Sequence, residues 1–203
     1  MSGLSNLASS TIQVGLQEWA AVCSGLGDGR LVLILRKGGI HERGGGLFAP
    51  EHDRFALLPG HLHQAVDRVA TALRGSVTDT SLPPIPGRIR ISHWAQVVRT
   101  WRCLDLLAVQ SLQAESPYTP AEIATRFNYR DEPQIFALAL RVHRFPTPYE
   151  VVDDPSYAGC RSWITLKESL VTAKSVPVLD TGYFTARLER IAAILDQAGR
   201  MPL

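Results

Sequence analysis

Between Arg36 and Gln64 the chain reads RKGGIHERGGGLFAPEHDRFALLPGHLHQ. Four of the six histidines fall there: His41, His52, His61 and His63. So do the carboxylates Glu42, Glu51 and Asp53, the cations Arg36, Lys37, Arg43 and Arg54, and two glycine clusters. Apolar runs precede it (LVLIL) and sit inside it (FALLP), so the polar groups read as loops carried on strands, where functional groups concentrate.

Phosphate binding is the first chemistry this set could do. Arg36, Lys37, Arg43 and Arg54, joined by Arg88 and Arg90, would supply charge, and guanidinium groups read phosphate oxygens in pairs. Gly38-Gly39 and Gly44-Gly45-Gly46 would let backbone N–H groups approach an anion. Trp94 and Trp101 could stack on a base, or serve as core.

Metal-assisted hydrolysis is the second. Glu51, His52, Asp53, His61 and His63 are legitimate ligand types. His61 and His63, however, would project about 200° apart on a helix and share a metal only if extended. Neither HExxH nor a CxxC/His array occurs. No metal and no cofactor is expected. A nuclease built on an Asp and an (E/D)xK pair lacks any ExK or DxK triplet, leaving only a rearranged set of Glu18, Glu42, Asp53 and Lys37. No GxSxG elbow is present. Cys160 has an adjacent Arg161 that could lower a thiol pKa, but a buried thiol is the plainer expectation. His93 and His143 lie beside apolar residues and read as core-edge histidines.

The whole chain of 203 residues is 45% hydrophobic and 20% charged, which fits a globular protein with a sizeable core. Net charge is +2, but residues 30–102 hold eleven Lys/Arg against five Asp/Glu. That basic middle would attract phosphate or form an unevenly charged solvated surface. Three well-separated cysteines argue against a disulfide framework and for a reducing compartment. MSGLSNLASSTIQ lacks the features of a secretory signal, and no apolar stretch is long enough for a membrane span. A cytoplasmic location without membrane association is therefore expected.

The elements that must position these groups follow from periodicity. Leu16, Trp19, Ala20 and Cys23 predict a helix over 14–24, and RLVLILR a buried strand over 30–36. A second strand is expected over 55–58. Leu62, Val66, Val69 and Leu73 predict an amphipathic helix over 61–74. Alternation predicts a long strand over 87–101, with room for a bulge, and a short helix is expected near 104–113. Thr119, Pro120 and Glu122 mark a helix start as N-cap, N1 and N3. A strand over 135–145 should end at Pro146 and Pro148. Helices are expected after Ser162 and over 182–198.

The blocks EWA (18–20), LRKGGI (35–40), EHDRF (51–55), HLHQ (61–64), RISHWAQVV (90–98), LRVHRF (140–145) and GCRSW (159–163) together resemble an uncharacterised bacterial family, known only as a domain of unknown function. The resemblance covers about 14–170, supplies no activity, and implies one domain. More distantly, the layout is similar to the ASCH domains of the PUA-like superfamily. The ASCH pattern GxKxxExR is met at Gly29 and Arg36, with Leu31 and Ile34 at its Lys and Glu positions. This likeness implies a small β-barrel whose cleft binds RNA or a nucleotide.

The expectation is an α+β protein: a compact mixed sheet, or a small PUA-like barrel, with surrounding helices. A lead-in (1–13) would precede one domain (14–174) and a C-terminal helical appendage (175–203). The expected function is a binding module for RNA, DNA or a nucleotide, with Arg36, Lys37, Gly38, Gly39, Arg43, Arg54, Arg88 and Arg90 as its site. An enzyme is less expected. It would be a metal-assisted phosphodiesterase using Glu42, Glu51, His52 and Asp53. A protein-interaction domain with the last helix as a dimer face is a third reading. Oligomeric state is not set by the sequence.

Overall fold

A computed structural model describes residues 11–37, 50–79, 82–159 and 161–198. The chain opens not with a helix over 14–24 but with strand β1 (Thr11–Trp19), which passes directly into helix α1 (Ala20–Gly27). The apolar spacing that predicted one helix joins the end of a strand to the start of a helix. The chain turns at Trp19 (φ −52°, ψ 135°), and side chains from elsewhere cap the first turn: Gln64 accepts from the Ala21 N–H at 2.8 Å.

Strand β2 (Leu33–Arg36) and strand β3 (Arg54–Gly60) follow, both where expected. The helix expected over 61–74 is displaced. Residues 61–70 form turns, with His63 left-handed (φ 63°), and only a 3-10 turn (Thr71–Leu73) and helix α2 (Arg74–Asp79) are helical. Leu62 and Val66 of the expected stripe are exposed. Val69 instead bridges to Tyr118, flanked by hydrogen bonds from the Ala70 N–H to the Pro117 carbonyl and from the Thr119 N–H to the Arg68 carbonyl.

Strand β4 (Arg88–Cys103) is as long as its alternation suggested, with register shifts near Ser92 and Val98. Helix α3 (Leu106–Gln110) and helix α4 (Pro120–Phe127) come next. The Thr119 side chain caps α4 by accepting from the Glu122 N–H. Strand β5 (Ile135–Val152) continues past Pro146 and Pro148. Its register with β4 jumps from Arg144↔His93 to Tyr149↔Ile91, so both prolines sit in a bulge that needs no ladder donor.

The helix expected after Ser162 is instead strand β6 (Trp163–Val171), antiparallel to β1. Ile164 and Leu166 are buried while Thr165 and Lys167 are exposed, a period of two that a short apolar run leaves ambiguous in sequence. A two-residue strand β7 (Val176–Pro177) and helix α5 (Thr181–Ala198) finish the described chain.

Among the described residues seven strands form one mixed sheet in the order β2-β5-β4-β3-β1-β6, with β7 on β5 and only β1/β3 parallel. The sheet does not close, so the open form of the α+β expectation is the one found, not the barrel. Successive residues of β3 point to opposite faces: Phe55 and Leu57 enter a large core, and Ala56 and Leu58 a smaller one. The helices cover the larger core, and α5 contributes Phe184, Ile191 and Leu195 to it. The stripe considered for dimerisation is thereby covered within the chain.

Candidate functional site

At the end of β1 the chain buries a carboxylate. Glu18 is 4% exposed, on a strand flanked by neighbours on both sides. An ionised group there requires partners, and three donors converge on it. The Arg36 guanidinium donates to Oε2 at 2.8 Å, and the Tyr118 hydroxyl and the Trp19 N–H each donate to Oε1 at 2.8 Å. Burial by itself would raise the Glu18 pKa. The charges of Arg36 and Arg126, with the two Oε1 hydrogen bonds, outweigh it and hold the carboxyl below its ordinary value.

The network extends outward. Arg36 also donates to Ser162 Oγ at 2.5 Å. Arg126 lies 3.8 Å over the Tyr118 ring and 5.0 Å from the Trp19 ring centre, and its Nε donates to Glu122 at 2.7 Å. Trp19 and Tyr118 meet edge to face at 5.5 Å. Arg36, Lys37, Arg126, Thr125, Glu122 and Tyr129 line a cleft of about 230 Å³ above this network. The spacing of α4 produces this arrangement: Glu122, Thr125, Arg126 and Tyr129 follow a helical stripe that continues one turn beyond it.

Lys37 lines the same cleft but holds the chain together. Its Nζ donates to the carbonyls of Phe127 (3.0 Å), Gln134 (2.9 Å) and Glu132, which uses all three ammonium hydrogens. Its contribution to a ligand is therefore its field.

Of the other expected phosphate ligands, Gly38, Gly39 and Arg43 lie outside the described residues, as does Glu42 of the hydrolytic set. Arg54 lies 4.7 Å over Trp94 and donates to Thr172. Arg88 and Arg90 stand on the far half of β4, beside Glu150. Register on β5 pairs Arg36 with Phe136 and Arg88 with Val152, at opposite ends of that strand. Arg36 and Lys37 share the cleft, while Arg88 and Arg90 form a separate exposed group. Both tryptophans considered for base stacking are buried, Trp94 at 7% and Trp101 at 9% exposure. Trp94 is stacked on His143, and Trp101 donates to Asp196.

Glu51 and Asp53 are exposed, and His52 packs edge-on against Trp163 at 5.0 Å. Among the described residues no group of three or more His, Cys, Asp or Glu is placed to hold a metal. Cys160 lies outside the described residues, and Cys23 and Cys103 are buried, their thiols pushed up by burial, Cys103 to about 12. Among the described residues no helix is long and apolar enough to cross a membrane.

Sequence reasoning gave no site role to Tyr118, Arg126, Glu122 or Ser162, and used Glu18 only in a rearranged nuclease. One signal was at hand. The EWA, LRKGGI and GCRSW blocks, scattered along the sequence, contribute Glu18, Arg36 and Ser162 to one contact network. No curated protein and no solved structure matches the chain. The family described as Domain of unknown function (DUF1802) matches residues 15–190, a span that includes every member of this network, and the chain belongs to that family.

Proposed function

We propose that this chain is a binding module for a phosphate-bearing ligand, a nucleotide or a single-stranded nucleic acid, held at the cleft between β2 and α4. The observation that carries the reading is the lining: among the described residues, Arg36, Lys37 and Arg126 meet there against one lining carboxylate, Glu122. A second carboxylate, Glu18, is buried behind Arg36 and fixes the direction of its guanidinium. Arg126 is oriented by two aromatic rings, so its charge is pre-organised. Gly38-Gly39 follow Lys37 directly in sequence, with Gly44-Gly45-Gly46 beyond them. At about 230 Å³ the cleft suits a single phosphate-bearing moiety and not a duplex.

The test is fluorescence anisotropy of a labelled nucleotide and of short RNA and DNA strands, in EDTA, across a salt series. Affinity should fall steeply with salt, and Arg126→Gln should weaken binding about tenfold, the loss of one charge-assisted contact. No binding at low salt, or binding indifferent to Arg126→Gln, rejects the reading. Arg88→Glu separates the two ligand forms: a nucleotide confined to the cleft ignores it, whereas a strand that continues along the exposed β4 arginines is weakened by it.

A further inference from the structure

On the other side of Tyr118 lies a second and larger concavity, of about 440 Å³, between the Thr71–Leu73 turn, the segment from Gln110 to Ser116, and the start of α4. Its floor is Leu31, Leu73, Tyr118 and Ile123, each at most 3% exposed. Small side chains at Ala70 and Ala114 leave the space above that floor open.

The frame around it is fixed from three directions. The Val69–Tyr118 bridge and its flanking hydrogen bonds tie one wall to the next. Behind Leu73, α1 packs so closely that a Cβ added at Gly25 would stand 2.6 Å from a Leu73 methyl. Arg187, 4% exposed, grips Glu115 together with the carbonyls of Gly29 and Arg30, which holds the Gln113–Glu115 turn against the body. The wall therefore cannot simply collapse into the space.

The lining also specifies charge. Among the described residues its one cation is Arg30, whose guanidinium is committed to Asp28 (2.6 Å), Ser76 Oγ (2.7 Å) and the Ala72 carbonyl (2.5 Å). Among the described residues no carboxylate lines it. Gln110 and Gln113 are the amide side chains of the lining; the Gln110 Nε2 donates to the Pro120 carbonyl at 2.9 Å, which leaves its Oε1 to accept, and Gln113 is held left-handed at φ 42°.

We infer that this concavity is a binding site for an uncharged, largely apolar small molecule of one or two rings, oriented by a polar group that meets the glutamine amides. Its size falls in the range of small-molecule pockets, which are mainly apolar with a few placed polar groups. It is independent of the anion cleft, from which Tyr118 and α4 separate it.

The experiment titrates the full chain with N-phenyl-1-naphthylamine, an uncharged fluorophore that brightens in apolar surroundings. Saturable binding of one probe per chain, unchanged between low and high salt, is expected. Ala70→Leu fills the space and should weaken binding at least tenfold with the circular dichroism spectrum retained; Ala114→Trp serves in its place should that variant unfold. Absence of saturable binding, or binding that a folded filling variant leaves within twofold of the original, overturns the inference.

Discussion

The Tyr118 hydroxyl donates to the Glu18 carboxylate at 2.8 Å, joining residues 100 positions apart in the sequence. That bond ties the start of α4 to the end of β1, and Tyr118 forms part of the division between the anion cleft and the apolar concavity. Burial pushes the Tyr118 hydroxyl well above its ordinary pKa, so it remains a donor at any physiological pH.

Glu18→Gln should destabilise the fold by about 3–5 kcal/mol, because it leaves Arg36 charged and half-enclosed without its counter-ion. The effect has a pH signature. The folded pKa of Glu18 lies below the ordinary 4.5, so its ionic stabilisation is complete above that value and is lost as pH falls below it toward the depressed folded value. The gap between the thermal melts of the two proteins should narrow from pH 7 to pH 3. A gap of constant size would mean that the carboxylate is not the ionised partner described above.

His93 should stay neutral through the range in which most histidines titrate. Burial first, then the Arg144 charge, lowers its pKa to about 4 against an opposing pull from Asp28. Its Nε2 faces the Arg144 Nε at 3.5 Å. The unfolded chain binds this proton more readily, so the stability held above about pH 6.5 is lost as pH falls toward 4. Proton NMR of the ring should show no His93 titration above pH 5. In Gly27→Ala the new methyl would stand 2.5 Å from the ring, forcing it outward, and the His93 titration should move up toward 6.5.

Lys37→Met should destabilise by about 2–4 kcal/mol, since it leaves three carbonyls without their shared donor. Amide hydrogen exchange checks the location: protection should fall first between Phe127 and Gln134 while the β4/β5 ladder keeps its own. Uniform loss across the sheet would contradict a local role.

Arg187→Ala should lower the urea midpoint by the equivalent of about 3–5 kcal/mol, for the same reason as any broken buried ion pair. Two backbone carbonyls lose their donor together, and Glu115 is left with Arg190 alone, at 3.4 Å. A chain ending at Lys174 removes α5 and, with it, Phe184, Ile191 and Leu195 from the larger core. Light scattering of that chain should report aggregation, not a folded monomer, because a core surface is uncovered. A folded, monomeric truncation would show that α5 is dispensable.

Local signals in the sequence determined the elements whose apolar period is unmixed. β2, β4, the Thr119-capped α4 and α5 all stand where the residues placed them, and the polar stretch that begins at the end of β2 drew attention to Arg36 and Lys37. What the sequence left open was anything decided by a distant neighbour. TIQVGLQEW becomes a strand because β3 and β6 supply ladders on both sides of it, which local spacing does not encode. Pro146 and Pro148 stop nothing because a register jump provides the bulge they need. Above all, the chemistry of Glu18, Arg36, Tyr118, Arg126 and Ser162 exists only when β1, β2, the start and body of α4 and the approach to β6 meet. A carboxylate, two hydroxyls and two guanidinium groups far apart in a chain carry no pattern of their own, and acquire one when burial obliges each to find the others.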